Sequence, residues 1–177
     1  MRCTWVDLKD SEYIHYHDYE WGKPVHEDQK LFEMLILEGF QAGLSWQCVL
    51  HKRENFRRVF DGFDVKKIAQ YTPQKISELL QNKGIIRNRL KIKGAVQNAK
   101  VFLKIQQEFG SFNTYIWAWA NGKSMREKQP KTQSELSDKI SKDLKKRGMT
   151  FVGTTIIYAY LCAIGIINAH EEKCDFS

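Results

Sequence analysis

The sequence lacks the features that mark membrane, secreted and fibrous proteins. Three prolines and 11 glycines among 177 residues are too few for a collagen-like or low-complexity chain. The longest nearly apolar run, from Ile156 to Ile167, is shorter than the ~20 residues that a helix needs to cross a bilayer. Charged and aromatic residues follow Met1, with no apolar signal region. We therefore expect no membrane partner and a cytoplasmic location.

Signals for a sheet and for a disulfide framework are also missing. No stretch alternates apolar and polar residues for long enough to predict a sheet. The four cysteines are Cys3, Cys48, Cys162 and Cys174, and a chain of this length buries roughly 70% of its unfolded surface without needing disulfides. Cys48 and Cys162 lie in apolar patterns and are predicted to be inert core thiols. Cys3 and Cys174 lie near opposite ends of the chain, beside histidines, and need another explanation.

Helical periodicity dominates what is present. Leu31, Met34, Leu35 and Glu38 follow the i, i+3, i+4, i+7 spacing of one helix face, with Asp28 as the predicted N-cap. A second predicted helix is capped by Ser45 and carries Val49 to Phe60, and a third begins at Pro73. Further helices are predicted over residues 88–109, 112–120, 134–146 and 151–169, and residues 122–132 are predicted to form an exposed polar loop. We predict an all-α fold, a single compact domain over residues 1–177, and a monomer.

The two ends of the chain carry a candidate metal site. Cys3 and His17 lie near the N-terminus, and His170 and Cys174 lie four residues apart near the C-terminus. That spacing predicts that both side chains share one face of a helical turn. Two cysteines and two histidines suit a tetrahedral structural zinc ion, which would join segments 1–22 and 165–177. The alternative is that these are four unrelated surface residues.

Glu38 is unusual because it continues an apolar helix face and should point inward. An ionised carboxylate is almost never buried without a partner. Gly39 and Gly43 allow close approach to this helix end, and Trp46 offers a flat stacking surface. A second aromatic cluster holds Trp5, Tyr13, Tyr16, Tyr19 and Trp21. A carboxylate among aromatic faces suits a planar ligand that is cationic or donates hydrogen bonds; an equally weighted alternative is a Glu38 bonded to backbone amides, with Trp46 in the core.

The excess of basic residues predicts an anionic partner. Lys and Arg number 28 against 21 Asp and Glu, a net charge of +7. Residues 76–92 predict a helix, a tight turn containing Gly84, and a second helix whose N-terminal amides can hold a phosphate. The cations around this turn are Lys83, Arg87, Arg89, Lys91 and Lys93. Their arrangement predicts a non-specific clamp on a nucleic-acid backbone, whereas the run Lys52, Arg53, Arg57 and Arg58 is predicted to be a solvated face.

Several short motifs together resemble a known family. They are Cys3-Thr4-Trp5, Tyr16-His17-Asp18, Glu20-Trp21-Gly22, Leu37-Glu38-Gly39, Gln41-Ala42-Gly43-Leu44-Ser45-Trp46, Gly84-Ile85-Ile86-Arg87, Lys146-Arg147-Gly148 and Phe151-Val152-Gly153-Thr154-Thr155, with His170 and Cys174 at the end. In this combination the sequence resembles the 3-methyladenine DNA glycosylase I family, bacterial repair enzymes of the helix-hairpin-helix superfamily. The resemblance spans essentially the whole chain.

The resemblance implies roles for individual residues. Cys3, His17, His170 and Cys174 match structural zinc ligands. Glu38 matches the pocket carboxylate that hydrogen-bonds the excised base, Tyr16 a second polar contact and Trp46 a stacking wall. Trp5 and Tyr13, with Trp21 beside them, match the remaining aromatic lining. Leu44 falls where the family inserts a side chain into the gap left by the flipped nucleotide, and we assign Gln41 and Gly43 to the same DNA contact. The hairpin element, residues 75–107 with Gly84, Arg87 and Lys91, matches the part that grips phosphate.

One departure from the wider superfamily constrains the expected mechanism. Its hairpins usually hold two glycines and precede a catalytic Asp, whereas this chain has only Gly84 there and no Asp between Asp64 and Asp138. That absence is typical of the 3-methyladenine family, whose charged substrate base is already a good leaving group. We find no lysine to assign as a Schiff-base nucleophile, and therefore expect a monofunctional hydrolase that acts on alkylated double-stranded DNA without cutting the strand. A non-catalytic DNA-binding module and a small-molecule hydrolase are the competing interpretations.

Overall fold

The computed structural model describes residues 1–127 and 131–177, and it is mostly helical. The helices are α1 (Ser11–Tyr19), α2 (Asp28–Gln41), α3 (Trp46–Leu50), α4 (Arg53–Val59), α5 (Val65–Ala69), α6 (Pro73–Gln81), α7 (Arg89–Phe109), α8 (Phe112–Ala118), α9 (Glu135–Lys146) and α10 (Thr154–Ala163). A 3-10 turn, Asp61–Phe63, follows α4, and the two short strands are β1 (Met125–Arg126) and β2 (Ile167–Asn168). The predicted helical class is confirmed.

Local capping chemistry starts several helices where the sequence predicted. The Ser45 side chain accepts a hydrogen bond from the amide of Cys48, and Pro73 is the first residue of α6 after the cap Thr72. The prediction that Asp28 is an N-cap is wrong. Asp28 is the first residue of α2, and its carboxylate instead accepts hydrogen bonds from the amides of Phe112 and Asn113. It therefore satisfies the free amides at the start of α8, a distant helix.

Other helix boundaries differ from those that hydrophobic periodicity predicted. The segment after Ser45 forms two helices, α3 and α4, and the predicted helix 112–120 ends at Ala118. The predicted helix 151–169 is only Thr154–Ala163, because Phe151 and Gly165 adopt positive φ angles of 55° and 75° and limit its two ends. A side chain at Gly165 would also lie 2.3 Å from the backbone of Lys23.

The expectation that the chain forms no strand is wrong, because β1 and β2 form one small parallel pair. Met125 pairs with Ile167 and Arg126 pairs with Asn168. Two residues per strand carry no detectable alternation, so periodicity could not predict them. The pair brings the 122–132 loop against the C-terminal segment; residues 128–130 of that predicted loop lie outside the described residues.

Helix α2 forms the centre of the molecule. Every residue from Leu31 to Phe40 is buried, including Glu33 and Glu38, and α7, α8, α10 and α3 all pack on α2. A helix that is enclosed on all sides cannot turn a carboxylate toward bulk water. This packing explains why Glu38 faces the interior. In the part of the chain that the structure describes, no helix combines the length and apolar character required to cross a membrane.

Candidate active site

A cavity of about 310 Å³ opens beside the last turn of α2. Its lining residues are Trp5, Tyr13, Tyr16, Trp21, Glu38, Gln41, Trp46, Lys131, Tyr158, Ala159, Cys162, Ala169 and Glu171. The volume falls in the range of small-molecule sites, which are mostly apolar with a few placed polar groups. The structure therefore brings together Glu38, Tyr16, Trp46, Trp5, Tyr13 and Trp21, the residues that the resemblance assigned to base recognition.

Glu38 is strongly affected by its buried position in this cavity. Its side chain is 3% exposed, and burial raises the pKa of the carboxyl to about 8. Within residues 1–127 and 131–177, no hydrogen bond or ion pair reaches this carboxyl group. The alternative of a Glu38 bonded to backbone amides is thus not what the structure has. A buried carboxyl without a partner is a group prepared for a ligand.

Tyr16 and Trp46 form one wall of the cavity. Their ring centroids are 5.2 Å apart at 43°. Asp10 fixes the two helices that carry them, because it caps α1 and also accepts hydrogen bonds from Gln47 and His51 at 2.6 and 2.7 Å. Burial, and then the negative charge of Glu38, raise the pKa of Tyr16 well above its usual value. Tyr16 therefore keeps its hydroxyl proton and can donate or accept a hydrogen bond.

The opposite wall is aromatic and continues toward the chain ends. Trp5 lies 5.2 Å from Tyr13 and 4.9 Å from Trp21, in tilted and edge-on contacts. Trp21 then lies 4.6 Å from His170. Trp5 is 37% exposed, which is high for a tryptophan in a packed cluster. A planar ligand can reach this face from solvent.

Helix α10 contributes cavity residues that sequence reasoning missed. Tyr158, Ala159 and Cys162 line the cavity, although the whole segment was predicted to be a core helix. The i, i+4 spacing of Tyr158 and Cys162 is the same for a core contact and for a pocket wall, so periodicity gave no signal. Cys162 is buried as predicted, and burial raises the pKa of its thiol to about 12, so it remains protonated.

Two polar atoms in this cavity region are buried without partners. They are Trp46 Nε1 and the Tyr158 hydroxyl, which have no hydrogen bond within the described chain. Leaving such groups unpaired costs ~1–3 kcal/mol each. Both atoms belong to residues that line the cavity, but the atoms themselves are enclosed by the protein.

Lys131 and Glu171 line the cavity, although neither residue was predicted to do so. Lys131 is ion-paired with Glu127 at 2.8 Å, and Glu171 accepts hydrogen bonds from the amide and hydroxyl of Thr4 at 2.9 and 2.6 Å. Arg126 of β1 donates a hydrogen bond to the carbonyl oxygen of Glu171 at 3.4 Å, and Glu127, the partner of Lys131, directly follows β1 in the β1–β2 pair. Their arrival depends on that long-range pairing, which the sequence did not reveal.

The chain ends meet, as predicted, in a cluster of sulfur and nitrogen atoms. Ligand atoms of Cys3, His17 and Cys174 lie within 4.8 Å of one another, and all three residues are buried. This group could hold a metal ion. His170 lies beside it, with its ring 5.0 Å from that of His17, and its buried Nε2 atom has no hydrogen-bond partner in the described chain. His170 and Cys174 lie in irregular backbone and not on the predicted helical turn.

A chain of polar groups orients His17. Its Nδ1 atom lies 2.7 Å from Asp18, and Arg2 contacts the same carboxylate through two nitrogens at 2.7–3.0 Å. The Asp18 carboxylate thus restricts rotation of the His17 imidazole ring. The other ring nitrogen, Nε2, lies 3.5 Å from the sulfur of Cys174. An imidazole bonded to a carboxylate through one nitrogen is the usual arrangement of a metal-binding histidine.

The predicted DNA-contacting residues lie in two places. Leu44 is 39% exposed at the tip of a short loop between α2 and α3. The loop is flanked by Gln41 and Trp46, which both line the cavity, and Gly43 has a φ of 78° that favours glycine. Leu44 is therefore an exposed apolar residue in a loop whose flanking residues line the cavity.

The hairpin between α6 and α7 is the second place. Gly84 is required there for close approach, because a Cβ atom would lie 2.9 Å from the Asn55 side chain. Arg87 is exposed in the turn, and Asn88 caps α7. Lys91 differs from the expected free cation, since its ammonium donates hydrogen bonds to the carbonyl oxygens of Phe40 and Ala42.

The prediction that residues 52–58 form a solvated basic face is wrong. Arg53 is buried and forms a bidentate ion pair with Glu20 at 2.7 and 2.8 Å. Arg57 contacts the buried Glu33 at 2.7 Å. Two of the four cations thus pair with carboxylates of distant segments, the partly buried Glu20 and the buried Glu33, which charge patterning does not show.

Comparison with known proteins gives the family. The methyladenine glycosylase family matches residues 5–177. The DNA-3-methyladenine glycosylase of Haemophilus influenzae is 45% identical over 98% of this chain and 96% of its own length. DNA-3-methyladenine glycosylase 1 of Escherichia coli is also 45% identical, over 98% of this chain and 95% of its own.

Solved structures agree with that result. A crystal structure of 3-methyladenine DNA glycosylase I has a TM-score of 0.95 and 44% identity, over 99% of this chain and 98% of that one. The Staphylococcus aureus enzyme, solved to show the structural basis of 3-methyladenine recognition, has a TM-score of 0.92 and 36% identity, over 95% of this chain and 92% of that one. This chain therefore belongs to the methyladenine glycosylase family of DNA repair enzymes.

Proposed function

We propose that this protein flips 3-methyladenine out of alkylated double-stranded DNA and hydrolyses its N-glycosidic bond. The observation that carries the proposal is Glu38, a buried carboxyl with no hydrogen bond in the described chain, placed in an aromatic cavity. The relatives named above are DNA-3-methyladenine glycosylases, which supports this substrate.

Recognition of the extruded base combines polarity and stacking. The 3-methylated nucleoside carries positive charge, and an ionised Glu38 would accept hydrogen bonds from its ring and compensate that charge. Tyr16, which stays protonated, supplies a second polar contact. Stacking on Trp46 contributes ~1–3 kcal/mol, and Trp5, Tyr13 and Trp21 complete the lining. An unmodified adenine is neutral and gains less from the carboxylate.

Extrusion of the nucleotide requires protein residues that contact the DNA duplex. Unstacking and unpairing a nucleotide costs a few kcal/mol. We assign to Leu44 the filling of the gap in the duplex, with Gln41 and Gly43 shaping the loop. Gly84 and Arg87 belong to the hairpin that holds the backbone, where the helix N-terminus and the cations favour phosphate without reading sequence.

Bond cleavage in this proposal needs little chemical assistance. The cationic base leaves readily, and water attacks the anomeric carbon of the sugar. Lys131 is the lysine that lines the cavity in the described chain, and its amine is ion-paired with Glu127. An ion-paired ammonium is a poor nucleophile, which supports a monofunctional enzyme without strand cleavage. Borohydride should therefore trap no covalent enzyme–DNA adduct during turnover.

The cysteine and histidine cluster fits one structural zinc ion. Cys3, His17, His170 and Cys174 supply two sulfur and two nitrogen ligands, the donor set that zinc prefers. The unpaired, buried Nε2 of His170 supports it as the fourth ligand. When bound, zinc would tie the chain ends together and would take no part in the chemistry. Metal analysis of the purified protein should give about one equivalent per chain.

Release of free base tests the proposed function directly. We expect the wild-type protein to release 3-methyladenine from methylated duplex DNA, and Glu38→Gln to release it at least ~100-fold more slowly with an unchanged fold. Salt-dependent DNA binding without release of any base would favour a DNA-binding module. Absence of DNA binding would favour a small-molecule hydrolase.

A further inference from the structure

Lys91 makes contacts that a simple phosphate-binding lysine does not make. It is the third residue of α7, directly after the hairpin. Its Nζ atom lies 2.9 Å from the carbonyl oxygen of Phe40 and 2.6 Å from that of Ala42. The side chain is partly buried, and burial lowers the pKa of its ammonium. Lys91 therefore spends two of its three N–H donors inside the protein.

These contacts satisfy carbonyl groups at the C-terminal end of α2. The last carbonyl groups of a helix have no partner within the helix. A cation at this end is also favourable because the helix dipole places negative charge there. Lys91 supplies both the donors and the charge from a different helix. It thereby fixes the turn of α2 that carries Glu38 and leads into the loop of residues 42–45.

The same residue is attached to the hairpin through its backbone. The amide of Lys91 donates to Asn88 Oδ1 at 3.1 Å, and Asn88 is the cap that ends the hairpin turn. On the other side, the loop is closed by two bonds between Gln41 and Leu44, at 2.7 Å between main-chain atoms and at 2.5 Å from the Gln41 side chain. A single residue thus joins the hairpin to the loop that carries Leu44.

We propose that Lys91 is a positioning residue that couples the hairpin to the loop of residues 42–45, so that holding the DNA backbone and inserting Leu44 occur in fixed register. The proposal rests on the proposed function, because it requires Leu44 to enter the duplex. In this role Lys91 does not contact phosphate. Its loss impairs extrusion of a paired base and spares recognition of a base that is already unpaired.

The test compares two substrates and two lysines of the same helix. Single-turnover excision of 3-methyladenine is measured at saturating enzyme on duplex DNA and on the same strand without its complement. Lys91→Met is compared with Lys100→Met, since Lys100 is exposed on α7 and makes no hydrogen bond or ion pair in the described chain. We expect Lys91→Met to lose at least ~10-fold on duplex and less than ~3-fold on single strand. Lys100→Met should stay within ~2-fold on both.

Conservative variants keep the test valid if Lys91→Met is poorly folded. Lys91→Arg can donate to both carbonyl groups, and it should restore duplex excision to within ~3-fold of wild type. Lys91→Gln can reach only one carbonyl group well and should show an intermediate loss confined to duplex. Thermal unfolding of each variant shows that it is folded at the assay temperature.

Three results would overturn the coupling role. Equal losses on both substrates would indicate a merely structural residue. A fall of about one in the salt-dependence slope of duplex binding, relative to Lys100→Met, would indicate a phosphate contact. Unchanged duplex excision in Lys91→Met would show that the contacts are dispensable. A wild-type protein that releases no base from either DNA would instead refute the proposed function.

Discussion

The cavity beside α2 and the terminal cysteine–histidine cluster are neighbours whose buried polar groups differ in how far they are hydrogen-bonded. Trp21 contacts both regions. In the cavity, Glu38, Trp46 Nε1 and the Tyr158 hydroxyl have no hydrogen-bond partner within the described residues. In the cluster, polar groups are linked in series, from Arg2 through Asp18 to His17. Unpaired groups lower stability, and linked groups that converge on one point raise it.

The two regions therefore differ in where their polar groups find hydrogen-bond partners. In the cavity, the Glu38 carboxyl lies in the lining and can gain a hydrogen-bond partner from a ligand. The cluster is held by its own surroundings, and only His170 Nε2 is left unpaired there among the described atoms. Variants of the cluster should therefore change stability, and variants of the cavity should change binding and excision.

The largest effect should follow from removing a cluster ligand. If the cluster holds the proposed zinc ion, Cys174→Ser removes one of its thiolate ligands. We then expect loss of the metal and a drop of several kcal/mol in the free energy of unfolding, because structural zinc contributes ~10–16 kcal/mol in small zinc domains. Denaturant unfolding and metal analysis check this. Cys48→Ser is the control, since Cys48 is half-buried outside the cluster. A full equivalent of metal in Cys174→Ser would contradict the assignment.

The next effect concerns the pH dependence of stability. Glu38 has a folded pKa of about 8 against an ordinary value of 4.5, so the folded protein keeps a proton that the unfolded chain has lost. Stability is therefore lost as pH rises from 4.5 to 8, and this group alone should lower the free energy of unfolding by about 4 kcal/mol between pH 5 and pH 9. Glu38→Gln should remove that part of the pH dependence.

Glu33→Gln is the matched control for this pH measurement. Glu33 is also buried on α2, but it is ion-paired with Arg57. Removing it should lower stability and leave the Glu38-linked pH dependence in place. If both variants changed the pH dependence equally, Glu38 would not be the unpaired carboxyl that the cavity requires.

A smaller effect should appear on binding of the free base. Trp46→Leu removes the stacking face, and the affinity for free 3-methyladenine should fall by ~10–100-fold, which corresponds to ~1–3 kcal/mol. Calorimetric titration measures it. Trp119→Leu, a tryptophan that does not line this cavity, should bind as wild type does. Equal affinities in the two variants would remove Trp46 from the site.

The smallest effect should come from the hydrogen bond at the border of the two regions. Thr4→Val removes the hydroxyl that donates to Glu171, an exposed contact. We expect a loss of less than about 1 kcal/mol in unfolding free energy, with metal content unchanged and excision within ~2-fold of wild type. A larger loss of excision would show that the two regions are coupled through Glu171.

The sequence predicts local and repetitive features of this fold well. Ser45 and Pro73 were placed correctly because capping depends on residues a few positions apart. Glu38 was predicted to face inward because it shares one face with three apolar residues. The meeting of the chain ends followed from chemistry, since cysteine and histidine at both ends suggest one shared site.

Features that depend on contacts between distant segments were not predictable. Arg53 and Glu20 lie 33 residues apart, and their ion pair is visible only in the folded chain. Tyr158 and Cys162 have the spacing of any buried helix, so nothing distinguished a pocket wall from the core. Lys91 belongs to a basic run by sequence, yet its ammonium binds carbonyl groups 49 and 51 residues away.

The most direct test of the unpaired carboxyl is the pH profile of excision. If Glu38 must be ionised to hold the cationic base, kcat/KM for 3-methyladenine in duplex DNA should rise about tenfold per pH unit and level off near pH 8. In Glu38→Gln the same profile should be flat and lie at least ~100-fold below the wild-type plateau. A Glu38→Gln variant that keeps the wild-type profile and rate would contradict the account.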